Sequence, residues 1–276
     1  MSRLKIAMIQ MRVDFNEPSK NLERAEQFIG EAAKAKAQIC VLPECLDIGW
    51  GNPKALELGE PIPGKISEAY CEMAKKYHIF LVAGLTETCS EKVYNAAILI
   101  SDRGEVLLHH RKINVLTGVE DVYEIGNSLG VADTALGKIG IDICADNSAN
   151  STVLAHSLAR MGAQIILSPC SWAVRPDRDV EKEPYGNEWF VPYKQLASLY
   201  QMPIIGVSNV GNVEDGSWKG WKAIGNSIAV DSNGEVLAVL PYGESAQVME
   251  IVEVTLLDDR KKGTSLSEEI SNKLFE

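Results

Sequence analysis

The sequence predicts an α/β fold built from mixed β-sheets covered by helices. Short apolar runs alternate with amphipathic segments of helical period over most of the 276 residues. Some neighbouring runs are joined directly by hairpin turns, so parallel and antiparallel pairs must coexist. Burying so many apolar strands requires cover on both faces, and helices packed over mixed sheets supply it.

The elements follow in chain order. "LKIAMIQM" reads as a strand, residues 18 to 36 as an amphipathic helix and "QICVLPE" as a second strand, a βαβ unit with the crossover length that a parallel pair needs. "SEAYCEMAKKYH" is helical, "IFLVAGLTE" and "YNAAILISD" are strands, and "DRG" turns the latter back into "EVLLHHRK". Then come the strand "KIGIDIC", a helix from about Ser151 to Met161, the strand "AQIILSP" and a helix within residues 186 to 201. The strand "MPIIGVSN" and the hairpin "GNSIAVDSNGEVLAVL" complete the pattern. No repeat, linker or low-complexity tract interrupts it, and a single domain over residues 1–276 is the expectation.

Composition narrows the function. A hydrophobic content of 46% allows a large core, while a formal net charge of -11 argues against a phosphate-binding surface and therefore against nucleic acid as a partner. The opening "MSRLKIAMIQMRVDFNEPSKN" alternates like a strand and lacks a small-residue cleavage site, and no apolar segment approaches 20 residues. A soluble cytoplasmic protein without membrane contact is expected. The six cysteines are too scattered for a disulfide scaffold, so reduced thiols are expected.

In such sheets ligands collect at the carboxyl ends of strands. Three of these ends carry reactive groups: Glu44 in "ICVLPECLD", Lys112 in "VLLHHRKINV" and Cys144 in "IGIDICADNSAN". Each has a plainer reading, as a loop carboxylate, a solvated charge beside Arg111 and a small buried hydrophobe. Cys40 and Cys71 read as core and Cys89 as a loop residue, while Cys45 points away from Glu44 if the strand continues. Cys170, after "IILSP", is the competitor of Cys144. Cys144 is favoured because Asp146, Asn147 and Ser148 can cap a helix whose N-terminus would stabilise a thiolate. His156 stays open as a partner for the thiol, although it reads more simply as a helix residue at the sheet surface. There is no GxxxxGKS/T loop, no GxGxxG after a strand, no GxSxG elbow and no HExxH or paired-histidine spacing, so neither a metal nor an organic cofactor is expected.

Strand-borne "LPE", then "HRKIN", then "IDICAD" in this order resembles the nitrilase superfamily of carbon-nitrogen hydrolases, with its Glu-Lys-Cys triad. The likeness runs from "IAMIQ" through "YNAAILIS" and "RGEVLLHHRK" to "GNSIAVDSNGEVLA". It implies an αββα sandwich of mixed sheets that forms four layers on dimerisation, and a homodimer or higher homo-oligomer. It also implies hydrolysis of an amide, N-carbamoyl or nitrile substrate through a Cys144 thioester. On this match Glu44 is the general base, Lys112 the electrophilic stabiliser and Cys144 the nucleophile, with Glu120 in "TGVEDVYEIGN" as the family's second glutamate. Asp121 and Glu124 are its neighbours.

The departures lie next to the thiol. Ala145 stands where relatives commonly carry Tyr or Trp, and "SANS" where an Arg-Phe-Pro-Glu-like segment is usual, so the pocket is expected to differ from the usual small-amide site. The Ala145 backbone N–H, Trp172 and Arg175 are the candidate substrate contacts, with Arg178, Trp189, Trp218 and Trp221 as further possibilities. A nitrilase acting on R-CN and a non-catalytic binding protein on the same fold are the alternatives.

Overall fold

The computed structural model describes residues 2–258 and 266–273. The amino-terminal half opens with β1 (Ser2–Gln10), α1 (Pro18–Lys34), β2 (Ile39–Val41), α2 (Ala55–Leu58) and α3 (Lys65–Tyr77). The strands β3 (Phe80–Cys89), β4 (Lys92–Ile100) and β5 (Val106–Arg111) complete it. Proline at the first turn pre-sets the backbone of α1, and the helix buries Asn21, Ala25, Ile29 and Ala32 at helical spacing.

The second half contains β6 (Val131–Thr134), β7 (Gly137–Ile141), a 3-10 turn (Cys144–Asn147), α4 (Thr152–Arg160), β8 (Ile165–Cys170), β9 (Ala173–Val174) and α5 (Asn187–Tyr200). It continues through β10 (Ile204–Ser208), β11 (Val210–Asn212), β12 (Lys222–Ile224), β13 (Ile228–Val230), β14 (Val236–Val239), β15 (Val248–Leu256) and α6 (Leu266–Lys273).

Two mixed six-stranded sheets result, in the orders β15-β1-β2-β3-β4-β5 and β14-β13-β10-β8-β7-β6, beside a small sheet β11-β12-β9. The parallel pairs are β1 with β2, β2 with β3, β7 with β8 and β8 with β10, each joined through a helical crossover. The DRG and DSNG turns make the antiparallel pairs β4-β5 and β13-β14.

The two sheets face each other across a shared core, with α1 and α3 outside the first and α4 and α5 outside the second. The strand period of two divides β1, β3 and β4 between layers. Ile6, Met8, Val82 and Leu99 point into the space between the sheets, whereas Ala7, Ile9, Leu81 and Ile98 point toward α1 and α3 with Ile29 and Tyr70. Burying one such Ile or Leu is worth about 1.5–3 kcal/mol. The architecture is an αββα sandwich, and it directs the carboxyl ends of the parallel strands of both sheets to one rim.

Several local expectations need correction. Cys71 is only partly buried because it sits at the flank of the α3 stripe, and Cys89 ends β3 instead of lying in a loop. β6 and β15 extend the sheets at their edges, where no strand was expected. "KIGIDIC" leaves the sheet at Ile141, three residues before the thiol.

Candidate active site

Glu44, Lys112 and Cys144 meet at the rim between the two sheets. Glu44 lies just beyond β2, where the chain turns and Cys45 takes a positive φ of 43°. Gly84 in β3 permits this turn, because a Cβ there would lie 2.6 Å from the Glu44 Cα. The Glu44 amide donates to the carbonyl of Cys170 at 3.2 Å, linking the rim of one sheet to that of the other.

Lys112 follows β5, and the pleat sorts its neighbours. His110 and Lys112 point inward, whereas Arg111 turns outward to clamp Glu87 through Nε and Nη2 at 2.7 and 2.6 Å. The Lys112 amide donates to the Asn95 carbonyl at 2.8 Å, which extends the β4-β5 pairing by one residue. Its ammonium, with no side-chain exposure, donates to Glu44 Oε1 at 2.9 Å and to Glu120 Oε1 at 2.6 Å. Glu120 Oε1 also receives the Trp50 indole N–H, and Glu120 Oε2 the Leu116 amide. Asp121 instead caps Gly118 and the exposed Glu124 pairs loosely with Lys92, so Glu120 alone of the three acids reaches the lysine.

Asn95 and Trp50 belong to this cluster although sequence reasoning did not select them. Asn95 Nδ2 donates to Glu44 Oε1 at 2.6 Å and fixes that carboxylate against the ammonium. The signal was weak: a neutral amide within a strand and an indole in a loop have no spacing rule.

Cys144 occupies the first position of the 3-10 turn with a φ of 47°, a left-handed conformation that aims its side chain away from the line of β7. α4 begins only at Thr152, so the residues after the cysteine do not cap a helix that opens at the thiol. Asp146 has a different task. Its carboxylate receives the amides of Ile143, Ile113 and Asn114 and pairs with His110 Nε2 at 2.8 Å, tying the cysteine turn to the segment after Lys112. Asn114 Nδ2 donates to the Ala145 carbonyl at 2.7 Å and joins the same two segments.

The electrostatics follow from burial. Burial pushes the Glu44 carboxyl up to about 7; Lys112 opposes that rise and Glu120 adds to it. Burial opposes the Lys112 ammonium, but Glu120 and Glu44 outweigh it, and its pKa lies well above the ordinary lysine value. Burial, the adjacent Cys170 thiol and Glu44 drive the Cys144 pKa well up, with Lys112 acting against them. The resting nucleophile candidate is therefore a neutral thiol, not the thiolate that a helix terminus would have favoured.

The remaining candidates are placed differently. Cys170 ends β8, buried beside Cys144, with its thiol donating to the Ser168 carbonyl at 3.3 Å. His156 lies on α4 with Nδ1 at 2.8 Å from the Tyr200 hydroxyl, a pairing between the outer helices that removes it as a partner for the thiol. Trp172 is buried and stacked on Trp189 at 4.9 Å, and its indole N–H has no hydrogen-bond partner among the described residues. Arg175 is on the surface, loosely paired with Asp177 at 3.7 Å. Arg178 folds back onto the carbonyls of Glu183 and Pro184 and lies over the Tyr185 ring. Trp218 stacks on Trp221 and meets Trp50 edge-on at 5.3 Å. No group of three or more His, Cys, Asp or Glu suited to a metal occurs among the described residues. Nor is any described helix long and apolar enough to cross a membrane.

An αββα sandwich that gathers a buried carboxylate, ammonium and thiol at one rim defines a cysteine-dependent amidohydrolase. The chain belongs to the carbon-nitrogen hydrolase family, whose profile matches residues 5–257. It is 29% identical over 268 residues to a nitrilase of Pyrococcus abyssi, covering 94% of this chain and 92% of that protein. It is 28% identical over 255 residues to the omega-amidase NIT2-B of Xenopus laevis, covering 89% and 87%. Among solved structures, a carbon-nitrogen hydrolase from Helicobacter pylori G27 superposes with a TM-score of 0.83 at 22% identity, over 99% of this chain and 93% of that one.

Proposed function

We propose that the protein hydrolyses a non-peptide carbon-nitrogen bond of a small amide or N-carbamoyl compound through a thioester on Cys144. The observation that carries this reading is the buried Glu44–Lys112–Glu120 cluster, with contacts of 2.9 and 2.6 Å, beside the Cys144 thiol. A carboxyl group with a pKa near 7 suits proton transfer in both directions at neutral pH.

Glu44 takes the thiol proton as Cys144 attacks the amide carbonyl carbon. Lys112 and the Ala145 backbone N–H receive the developing oxyanion, and each such donor is worth about 3 kcal/mol in other enzymes. Glu44 returns its proton to the departing nitrogen, and ammonia or an amine leaves. Water, deprotonated by Glu44, then attacks the thioester and releases the acid while the thiol regains its proton. Glu120 holds Lys112 in place and keeps it charged.

Nitrile hydrolysis by the same three groups is the second reading, favoured by the 29% identity to the Pyrococcus abyssi nitrilase. The intact charge cluster gives no support to a non-catalytic binding role. Trp172 and Arg175 remain proposals as substrate contacts, the former supported by its unpartnered indole N–H. A cytoplasmic location fits six unpaired cysteines, and the net charge of -11 fits a small-molecule substrate and not nucleic acid. A homodimer is supported by Val153 on α4, Met161 just after it and Leu199 on α5, apolar side chains exposed on the outer helical layer. Ammonia release from a panel of amides, N-carbamoyl compounds and nitriles tests the reading: turnover of amides or carbamoyl compounds supports it, and turnover of nitriles alone transfers it to the second.

A further inference from the structure

Asn95 and Trp50 touch the charge cluster without carrying charge, and the mechanism above gives them no part. Their hydrogen bonds fall into a pattern. Glu44 Oε1 receives the Asn95 side-chain amide at 2.6 Å together with the Lys112 ammonium at 2.9 Å. Glu120 Oε1 receives the Trp50 indole N–H together with the same ammonium at 2.6 Å, while Asn95 stands off from it at 3.5 Å. A carboxylate oxygen has two lone-pair sites, so one neutral donor and one ammonium proton fill each of these two atoms. Two groups are then left over. Glu44 Oε2 is buried and has no hydrogen-bond partner among the described residues. Lys112 has three N–H groups and gives two of them to the carboxylates, so one stays uncommitted.

Both neutral donors are fixed by structure outside the cluster. Asn95 lies within β4, opposite Thr86 of β3, and its carbonyl receives the Lys112 amide at 2.8 Å. Trp50 lies beyond the Glu44 turn, packed in one apolar cluster with Ile48, Val93 and Tyr123 and met edge-on by Trp218 at 5.3 Å. We propose that Asn95 and Trp50 are a pair of positioning residues: by filling the second acceptor site of the two oxygens that hold Lys112, they leave Glu44 Oε2 to exchange protons with the thiol and the water, and the third Lys112 N–H to meet the oxyanion. The proposal rests on the reading of Glu44 as base and Lys112 as oxyanion donor. The pair is not equivalent. Asn95 acts on Glu44 directly, whereas Trp50 reaches Lys112 only through Glu120.

The test measures kcat and KM on an amide from the substrate panel between pH 5.5 and 8.5. Asn95→Leu and Trp50→Phe each remove the donor and keep an apolar side chain; each should lower plateau kcat about tenfold or more, because a hydrogen bond to a charged group is lost, with KM changed less than about threefold. Asn95→Ala replaces the leucine variant if circular dichroism shows that variant unfolded. The acid limb separates the two roles. Lys112, Glu120, Cys45 and Cys144 are the titratable groups that face Glu44, and the Asn95 bond favours its charged form. Asn95→Leu should therefore move the acid limb to higher pH by about half a unit, and Trp50→Phe should leave it in place. In the Lys112→Gln background, Trp50→Phe should cost less than about a further twofold in plateau kcat, because the ammonium it positions is gone. Parent kcat in either single variant, a parent acid limb in Asn95→Leu, or the full tenfold loss from Trp50→Phe without Lys112 would overturn the pairing. Parent kcat in Lys112→Gln alone would instead overturn the oxyanion reading beneath it.

Discussion

Replacing Lys112 by Gln should alter the pH dependence of the reaction as well as its rate. The ammonium lies 2.9 Å from Glu44 Oε1 and 2.6 Å from Glu120 Oε1, and all three side chains are fully buried. At 2.9 Å and an effective dielectric of about 20, the attraction to Glu44 is about 6 kcal/mol before desolvation is subtracted. Without the ammonium, two carboxylates share one buried site and one of them holds its proton to higher pH. If only a third of that attraction is lost in net terms, about 2 kcal/mol, the Glu44 pKa rises by more than one unit from its value of about 7. The plateau rate should fall about a hundredfold through loss of the positive charge facing the oxyanion. The assay is the pH profile of kcat and kcat/KM on an amide chosen from the substrate panel, with thermal unfolding as a control for the cost of opening a buried ion pair. A variant that changes KM alone and keeps the parent acid limb would refute both the charge coupling and the oxyanion role.

Two further outcomes are expected. Cys144→Ala should abolish amide turnover with the fold retained, because it removes a thiol and little volume, whereas Cys170→Ala should stay active; the reverse pattern, read by ammonia release, would identify Cys170 as the nucleophile. Stability should fall as pH rises from about 5 to 8. Glu44 and Asp142 at about 7 and Asp47 at about 6, each raised first by burial, bind protons in the folded chain that the unfolded chain has released. Each unit of that rise contributes about 1.4 kcal/mol below the unfolded pKa and is lost through the folded one. Melting temperatures across this range check it, and a rise in stability toward pH 8 would contradict the burial argument.

The layered fold and the three strand ends that bring Glu44, Lys112 and Cys144 to one rim were legible in the sequence because both rest on period. Alternating apolar residues mark β1, β3 and β4, and the same alternation sends Lys112 inward and Arg111 outward. Edge strands carry a weaker signal. β15 exposes Glu250 and Glu253 along a mainly apolar run, and β6 has only four residues. The turn at Cys144 was misread for a related reason: Asp, Asn and Ser satisfy the chemistry of a helix cap, but the same groups also brace a tight turn through distant backbone amides. Asn95 and Trp50 join the cluster only when separate segments pack together. Arg175 and Arg178 show the same limit. Neighbours in one irregular loop, the first is solvated and the second folds onto Tyr185.

The central claim is that Glu44 exchanges protons with a Cys144-bound intermediate. Glu44→Gln preserves shape but cannot deprotonate the water that would release an acyl group. An activated ester needs little help with its leaving group, so acylation should survive in part while deacylation fails. Intact-protein mass after treatment with p-nitrophenyl acetate should show a single acetyl adduct that peptide mapping places on Cys144. The parent should show none at the same time point. Fast multiple turnover of amides by Glu44→Gln, with no trapped adduct, would contradict the assignment of Glu44 as the shared base.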